Sequence, residues 1–289
     1  MLGQLILSGI SQGSIYALVA LGMTVLFRAT TIVNFAQGDM FMFGAFVVYV
    51  LLHVVEVPYV LAALGAIVLM LLFGLLTERV LIRPISHAPH MNLAMMTVAL
   101  SYLLRGVSRF FWGREVLSLP PVFSYPPVEF AGLVLTPQDL LITGITLALV
   151  LLFFLVLHFS RLGKITQAAS QSPRGAALVG INVPAFHGAM WAVASVIAAV
   201  AAILIAPVTL LYPDMGAGVL IRAFAAMTLG GFGSLGGAVI GGLGMGVIEQ
   251  LAGAYVSTSL IDIAAYLVII VVLLWRPAGL FGRREVVRV

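Results

Sequence analysis

The chain has 289 residues, of which 62% are hydrophobic and 8% charged. A soluble domain is about a quarter charged, so this chain lacks the polar surface to face water, and lipid must be the solvent for much of it. The net charge of +4 rests on 14 cations, 13 of them arginines, which sit at the ends of apolar runs and so report membrane topology rather than nucleic-acid binding; the absence of cysteine excludes disulfides, Cys-ligated zinc, iron–sulfur clusters and thiol chemistry.

The first apolar run continues to Phe27 without the basic region of a secretory signal. At 1.5 Å per residue it makes about 40 Å of helix, and it reads as a retained first span. Charge-free stretches place further spans near residues 36–55, 58–78, 91–111, 138–159, 185–211 and 258–275, after the first at 5–27. Residues 220–252 form another apolar region, interrupted by Gly230, Gly231, Gly233, Gly236 and Gly237. As one straight helix it would run about 50 Å, too long for a hydrocarbon core of about 30 Å. A broken pair fits better, either crossing twice or forming a re-entrant hairpin, with the break covered by protein or a cavity. The expected fold is all-α: one polytopic helix bundle over residues 1–289 with about eight membrane segments.

Ten of the fourteen cations fall at one set of ends: Arg28, Arg79, Arg83, Arg161, Lys164, Arg174, Arg276, Arg283, Arg284 and Arg288. Cytoplasmic loops carry such an excess, which predicts an inner-membrane protein with its N-terminus outside and its C-terminus cytoplasmic. Arg105, Arg109, Arg114 and Arg222 depart from the rule and are expected toward the outer side or within the membrane. The outer loop, about 112–137, holds Pro120, Pro121, Pro126, Pro127 and Pro137 with Trp112 and Tyr125, a stiff extended segment. The inner loop, about 160–184, is the longest polar stretch. Within it Gln167 to Ser172 and Arg174 to Val179 are helix-compatible, with Gly180 as a stop.

Several motifs carry less than they suggest. Gly231–Gly236 matches GxGxxG, but a dinucleotide site needs a strand before it and a helix with a later acidic residue. Both flanks here are membrane helices, so close packing and backbone flexibility explain the glycines better; Gly237-xxx-Gly241 and Gly242-xxx-Gly246 add the small-xxx-small spacing of packed membrane helices. No Walker A motif surrounds Lys164, the only lysine, so any ATP hydrolysis belongs to another chain. His87 and His90 have no cysteine and few acidic companions for a metal, Glu78 being the closest, and read as a solvated loop. No Ser-His-Asp set, carboxylate pair or HExxH is present, which leaves no catalytic candidate.

The polar residues at membrane depth are functional candidates by default. Asn34, Gln37 and Asp39 lie at the inner end of the second span, where Asn34 is placed to cap the helix and the others to sit in its first turn. Glu249 and Asp262 are expected near the outer interface. Arg105 and Arg109, four apart, share a helical face and are long enough to snorkel outward. Asn34, Gln37, Asp39 and Glu249 are the candidates for a translocation path.

Four stretches resemble a known family: Gly13 to Gly44; the inner loop with Gln167-Ala168-Ala169, Arg174, Ala176 and Gly180-Ile181-Asn182; Pro207 to Gly216 continuing into Leu229 to Glu249; and Arg276 to Gly282. In this order they resemble the LivH-like permease subunits of branched-chain amino-acid ABC importers, over nearly the whole chain. The resemblance implies a non-enzymatic subunit that pairs with a second permease, usually a larger LivM-like relative. It also implies two cytoplasmic ATPase subunits, which bind the Mg-ATP, and a substrate-binding protein outside. No cofactor or nucleic acid is implied for this chain. Gln167, Ala168, Ala169, Arg174, Gly180, Ile181 and Asn182 would then form the ATPase-coupling loop, with Gln167 where the family has Glu and Pro173 where it has Gly. Gly230, Gly231, Gly233, Gly236 and Gly237 would serve as hinge or packing positions. The alternatives are an ion-driven secondary transporter, which needs a coupling carboxylate near the midplane, and a membrane-embedded enzyme, which needs converging acids and histidines.

Overall fold

The computed structural model describes residues 2–120, 126–130 and 133–282. Among them, the chain forms nine long helices: α1 (Leu2–Thr30), α2 (Gln37–His53), α3 (Tyr59–Thr77), α4 (His90–Trp112), α5 (Pro137–Phe159), α8 (Val183–Ile205), α9 (Met215–Gly230), α10 (Leu235–Tyr255) and α11 (Leu260–Trp275). Two short ones, α6 (Arg161–Gln171) and α7 (Pro173–Leu178), fill the inner loop. Helices α1, α3 (continued by a π-helical and a 3-10 turn to Ile85), α5, α8 and α10 are long and apolar enough to cross a membrane. Apolar α2, α9 and α11 are shorter. The Pro-rich loop carries a small antiparallel hairpin, β1 (Val128–Phe130) and β2 (Leu133–Leu135), pairing Val128 with Leu135. Gln4 pins it, exchanging two hydrogen bonds with the Val134 backbone at 2.9 and 3.0 Å. Pro121 and Tyr125 lie outside the described residues, as do Arg283, Arg284 and Arg288.

Capping residues fix the helix starts. Thr136, Ser160, Ser172, Asn182 and Ser234 each accept a hydrogen bond from a backbone N–H in the first turn of α5, α6, α7, α8 and α10. The span expected over 185–211 ends early: α8 stops at Ile205, and Pro207 follows in a loop that pairs Leu211 with Leu117. The region expected over 220–252 begins at Met215 and breaks between Gly230 and Leu235 into two antiparallel helices.

Burial is inverted from what hydropathy alone suggests. The most apolar spans, α3 and α5, lie at the outside with only 28% and 11% of their core windows buried, whereas α1 is 83% buried and α8 78%. Leu72, Leu76, Leu147, Leu151 and Phe154 face outward, as they should where lipid replaces water. The centre is made of small residues. Gly9, Gly13 and Ala17 of α1 meet Val247, Gly246 and Gly242 of α10 backbone to backbone. A second stripe on α10, Gly237 and Gly241, meets Gly230 and Ala226 of α9. Helix α10 is therefore gripped on two sides through glycine, the geometry that lets membrane helices approach closely. A Cβ on Gly242 would lie 2.5 Å from the Ala17 Cα, whereas one on Gly236 would meet nothing. Gly242→Val is expected to cost on the order of 1–3 kcal/mol by overpacking, read as a lower unfolding midpoint in detergent. Gly236→Ala should leave the midpoint unchanged or higher; equal behaviour of the two variants would contradict the seam.

Candidate functional site

The first polar cluster begins where α1 ends. Thr31 takes φ +57°, and the chain turns back along residues 32–36 before α2 starts. Asn34 organises this turn: its Oδ1 accepts from the Ala36 N–H at 3.0 Å, and its Nδ2 donates to Gln37 Oε1 at 3.0 Å. The N-cap itself is Ala36, which has no capping side chain, so Asn34 acts two residues earlier than its expected position. Gln37 Nε2 donates to the Ala194 carbonyl at 2.9 Å, and Ala194 lies halfway along α8. The Asn34–Asp39 segment is consequently not at the inner end of a span. It re-enters the bundle, and α2 starts near the middle, with Asn34, Gln37 and Asp39 all fully buried. The backbones of Gly38 and Gly216 touch there, so the first turns of α2 and α9 abut.

Asp39 faces Arg105. The guanidinium donates through Nε at 2.7 Å and Nη2 at 3.0 Å, and the Ser101 hydroxyl donates to the same carboxylate. Arg105 therefore turns inward, against the expectation that it snorkels out: its side chain is 20% exposed and the Asp39 side chain 0%. A lone charge at this depth would cost several kcal/mol, and the two-donor fork is what makes the pair tolerable. Its partner Arg109 does reach outward, to Asp214 at 2.5 Å, where both side chains are about half exposed and the pair contributes little.

The second cluster encloses Glu249 within the bundle. Its side chain is 4% exposed and receives Arg222 Nε at 2.6 Å. The Tyr16 hydroxyl donates to its other oxygen at 2.7 Å, and Gln12 Nε2 donates to Tyr16 at 3.0 Å. Arg222 reaches on to Asp262 at 3.3 Å, whose side chain is 86% exposed. Gln12, Tyr16, Arg222 and Glu249 border a cavity of about 540 Å³. A third pair was missed altogether: Arg83 binds the buried Glu78 at 3.1 and 2.7 Å and also donates to the Pro184 carbonyl at 3.3 Å, joining the end of α3 to the start of α8. The signal for the two deep pairs was present in the sequence as two acids, Asp39 and Glu249, and two arginines, Arg105 and Arg222, inside apolar spans. Like numbers of opposite charge at membrane depth call for pairing.

The glycine break is not left loose. Gly231 at φ +101° and Gly279 at φ +71° pack on each other. The Leu280 and Phe281 N–H groups donate to the Leu229 and Gly230 carbonyls at 2.9 and 3.0 Å, satisfying groups that the end of α9 leaves open. The Arg276–Gly282 stretch is thus a clamp on the α9–α10 turn. Gly233, at φ +77°, lies beside Phe27.

At the same end, the inner loop is a two-helix elbow. Thr166 and Ala169 of α6 and Ala176 of α7 are buried, while Gln167 and Arg174 face out and Ala168 is half-buried. Gly180 takes φ +88°, Ile181 N–H donates to Ala176 O, and Asn182 caps α8. The elbow's tip is apolar: Leu178 is 89% exposed and Val179 76%. Among the described residues no group of three His, Asp or Glu side chains could hold a metal, His87 and His90 included.

Comparison with known proteins agrees with this architecture. Residues 5–274 match the family model for the permease component of branched-chain amino acid transport systems. The chain is 30% identical to the high-affinity branched-chain amino acid transport system permease protein LivH of Salmonella typhimurium and to that of Escherichia coli, covering 99% of this chain and 97% of each relative. It is 29% identical, over the same shares, to the corresponding protein BraD of Pseudomonas aeruginosa. No solved structure matches. The multi-pass bundle, its glycine-broken helix pair and its protruding polar loop are those of a chain that belongs to the permease-component family of branched-chain amino acid transport systems.

Proposed function

We propose that this chain is one membrane subunit of an ATP-driven importer of branched-chain amino acids, working with a second permease subunit, two ATPase subunits and an external substrate-binding protein. The observation that carries the reading is the α6–α7 elbow. An apolar tip of Leu178 and Val179 on an otherwise polar loop is costly in water and suits a groove on a soluble partner. Arg28, Arg79, Arg83, Arg161, Lys164, Arg174 and Arg276 belong to the same end of the bundle. This supports a cytoplasmic placement of that end and an N-terminus outside. ATP with its Mg²⁺ then acts on the partner chains, and this chain contributes no catalytic group.

The path for substrate follows the residues that break the apolar interior: Asn34, Gln37 and Asp39 where α2 starts, and Glu249 beside the cavity. The ion-driven alternative needs a carboxylate free to bind and release a coupling ion. Asp39 and Glu249 are both held by guanidinium groups, which favours the ATP-driven reading.

Two measurements test this. Leu178→Asp changes an exposed side chain, so the protein should insert and fold. ATP-driven leucine uptake by the reconstituted assembly should fall about tenfold, the effect of losing roughly 1.4 kcal/mol of docking energy; undiminished uptake would place the coupling elsewhere. For the deep pair, Asp39→Asn and Arg105→Gln should each destabilise by about 3–5 kcal/mol, because each strands a buried charge. The double variant should be less damaged than the sum, and additive losses in unfolding midpoint would show that the pair does not act as a unit.

A further inference from the structure

The cavity beside Glu249 has a chemistry that the pairings around it do not use up. It lies among α1, α9, α10 and the 206–214 loop, with Ile261 of α11 closing one side. Its volume of about 540 Å³ falls within the range of roughly 300–1,000 Å³ typical of small-molecule sites. One part of the wall is charged, with Arg222 and Glu249 beside Tyr16. The rest is mixed, with Ile205, Leu210, Val219 and Ile261 beside the polar Gln12, Thr209, Tyr212 and Gln250.

Arg222 has five N–H donors. Nε is spent on Glu249 and Nη2 reaches Asp262, while Nη1 makes no hydrogen bond among the described residues. The space in front of Nη1 is kept open by Gly218: a Cβ there would lie 3.0 Å from that nitrogen. Behind the guanidinium, the Tyr16 ring lies 5.9 Å from its central carbon. Glu249 is anchored by both Arg222 and Tyr16, so its negative charge stays at a fixed place on the wall.

We propose that this cavity is a subsite for a zwitterionic α-amino acid with an aliphatic side chain. The free edge of Arg222 takes the carboxylate, Glu249 takes the ammonium group, and the side chain lies against Ile205, Leu210, Val219 and Ile261. The charge arithmetic selects the ligand. A simple carboxylate would meet Glu249 unfavourably, and a simple amine would meet Arg222. A ligand carrying both signs a few ångströms apart meets both charged groups, and an aliphatic tail has Ile205, Leu210, Val219 and Ile261 to lie against. In the proposed orientation the 206–214 loop faces the outside, so the cavity stands where an amino acid would enter the membrane. This inference rests on the transport reading and deepens it.

The test uses the permease–ATPase assembly in lipid nanodiscs without the binding protein, with saturation-transfer NMR reporting contact with L-leucine, 4-methylpentanoate and 3-methylbutylamine. Leucine is expected to receive saturation through its methyl groups, and the two analogues, each lacking one charge, little. Gly218→Leu fills the space before Nη1, which a Cβ alone would approach to 3.0 Å. It should raise the half-saturating leucine concentration at least about tenfold, a loss of roughly 1.4 kcal/mol, with folding checked by the unfolding midpoint. Arg222→Lys keeps the charge opposite Glu249 but loses the fork, and should weaken leucine in the same way. Equal signals from all three compounds, or leucine contact unchanged in Gly218→Leu, would overturn the subsite. ATP-driven leucine uptake by the complete wild-type assembly separates the two readings. Uptake with unaltered contact in Gly218→Leu overturns the subsite alone, whereas no uptake by the wild-type assembly overturns the transport function on which it rests.

Discussion

Backbone packed on backbone holds the middle of this protein in place. Between helices in lipid, leucine against leucine gains almost nothing over leucine against an acyl chain, so close approach and polar pairing must decide the arrangement. Helix α10 supplies the approach with two glycine stripes, Gly242 and Gly246 against α1 and Gly237 and Gly241 against α9. That double seam fixes α9 beside α10, which sets Arg222 opposite Glu249. It also places Gly216 of α9 against Gly38, and so lodges the start of α2 inside the bundle. Asp39 then stands where α4 can offer Arg105. A side chain inserted into either stripe would move the charged residues as well as the helices.

The ion pairs follow from this placement more than they cause it. Two buried acids and two mostly buried arginines are expensive in an apolar medium, and a hydrophobic replacement of each pair could be equally stable. Their positions are informative for that reason. One pair sits at the first turn of α2, where the chain has re-entered the bundle, and the other lines a cavity with a charged wall. The first joins α2 to α4, 66 residues apart, and the second joins the two arms of the α9–α10 pair, 27 residues apart. They tie the polar interior to the outer frame of the bundle.

Much of this was legible in the sequence because lipid imposes a simple rule on length and polarity. The first span, the helices near 58–78, 91–111 and 138–159, the break after Gly230 and the helical inner loop all follow from charge-free length, glycine and helix-compatible composition. The depth of Asn34, Gln37 and Asp39 did not follow, because hydropathy locates a segment along the chain and not the level to which a turn folds back. The inward turn of Arg105 and the burial of Glu249 were hidden for a related reason: snorkelling and pairing are both open to an arginine in a span, and the choice depends on which helix lies opposite. The clamp of Arg276–Gly282 on the α9–α10 turn was visible as a motif but not as a contact, since the two segments are about fifty residues apart and meet only through main-chain groups.

Helix α8 is where the two ends of the proposed mechanism meet. Its first turn is capped by Asn182 from the elbow and tied by Arg83 at Pro184. Its midpoint carbonyl at Ala194 holds Gln37, and its far end takes Tyr59 at Ile203 and Gln138 at Leu204. Under the proposed coupling role, a displacement of α6–α7 would reach Asn34 and Asp39 through one continuous rod and one amide, a contiguous physical network of the kind coupling requires. The face of that rod is built from Ala194, Ala198, Ala199, Ala201 and Ala202, all essentially inaccessible, with Gly44 of α2 against Ala199. Small, unbranched side chains present a shallow surface, and helices packed through such surfaces slide past each other with little repacking. In an importer that must open alternately to two sides, shear along this alanine face would alter the α2–α8 contact while the double glycine seam keeps α1, α9 and α10 together.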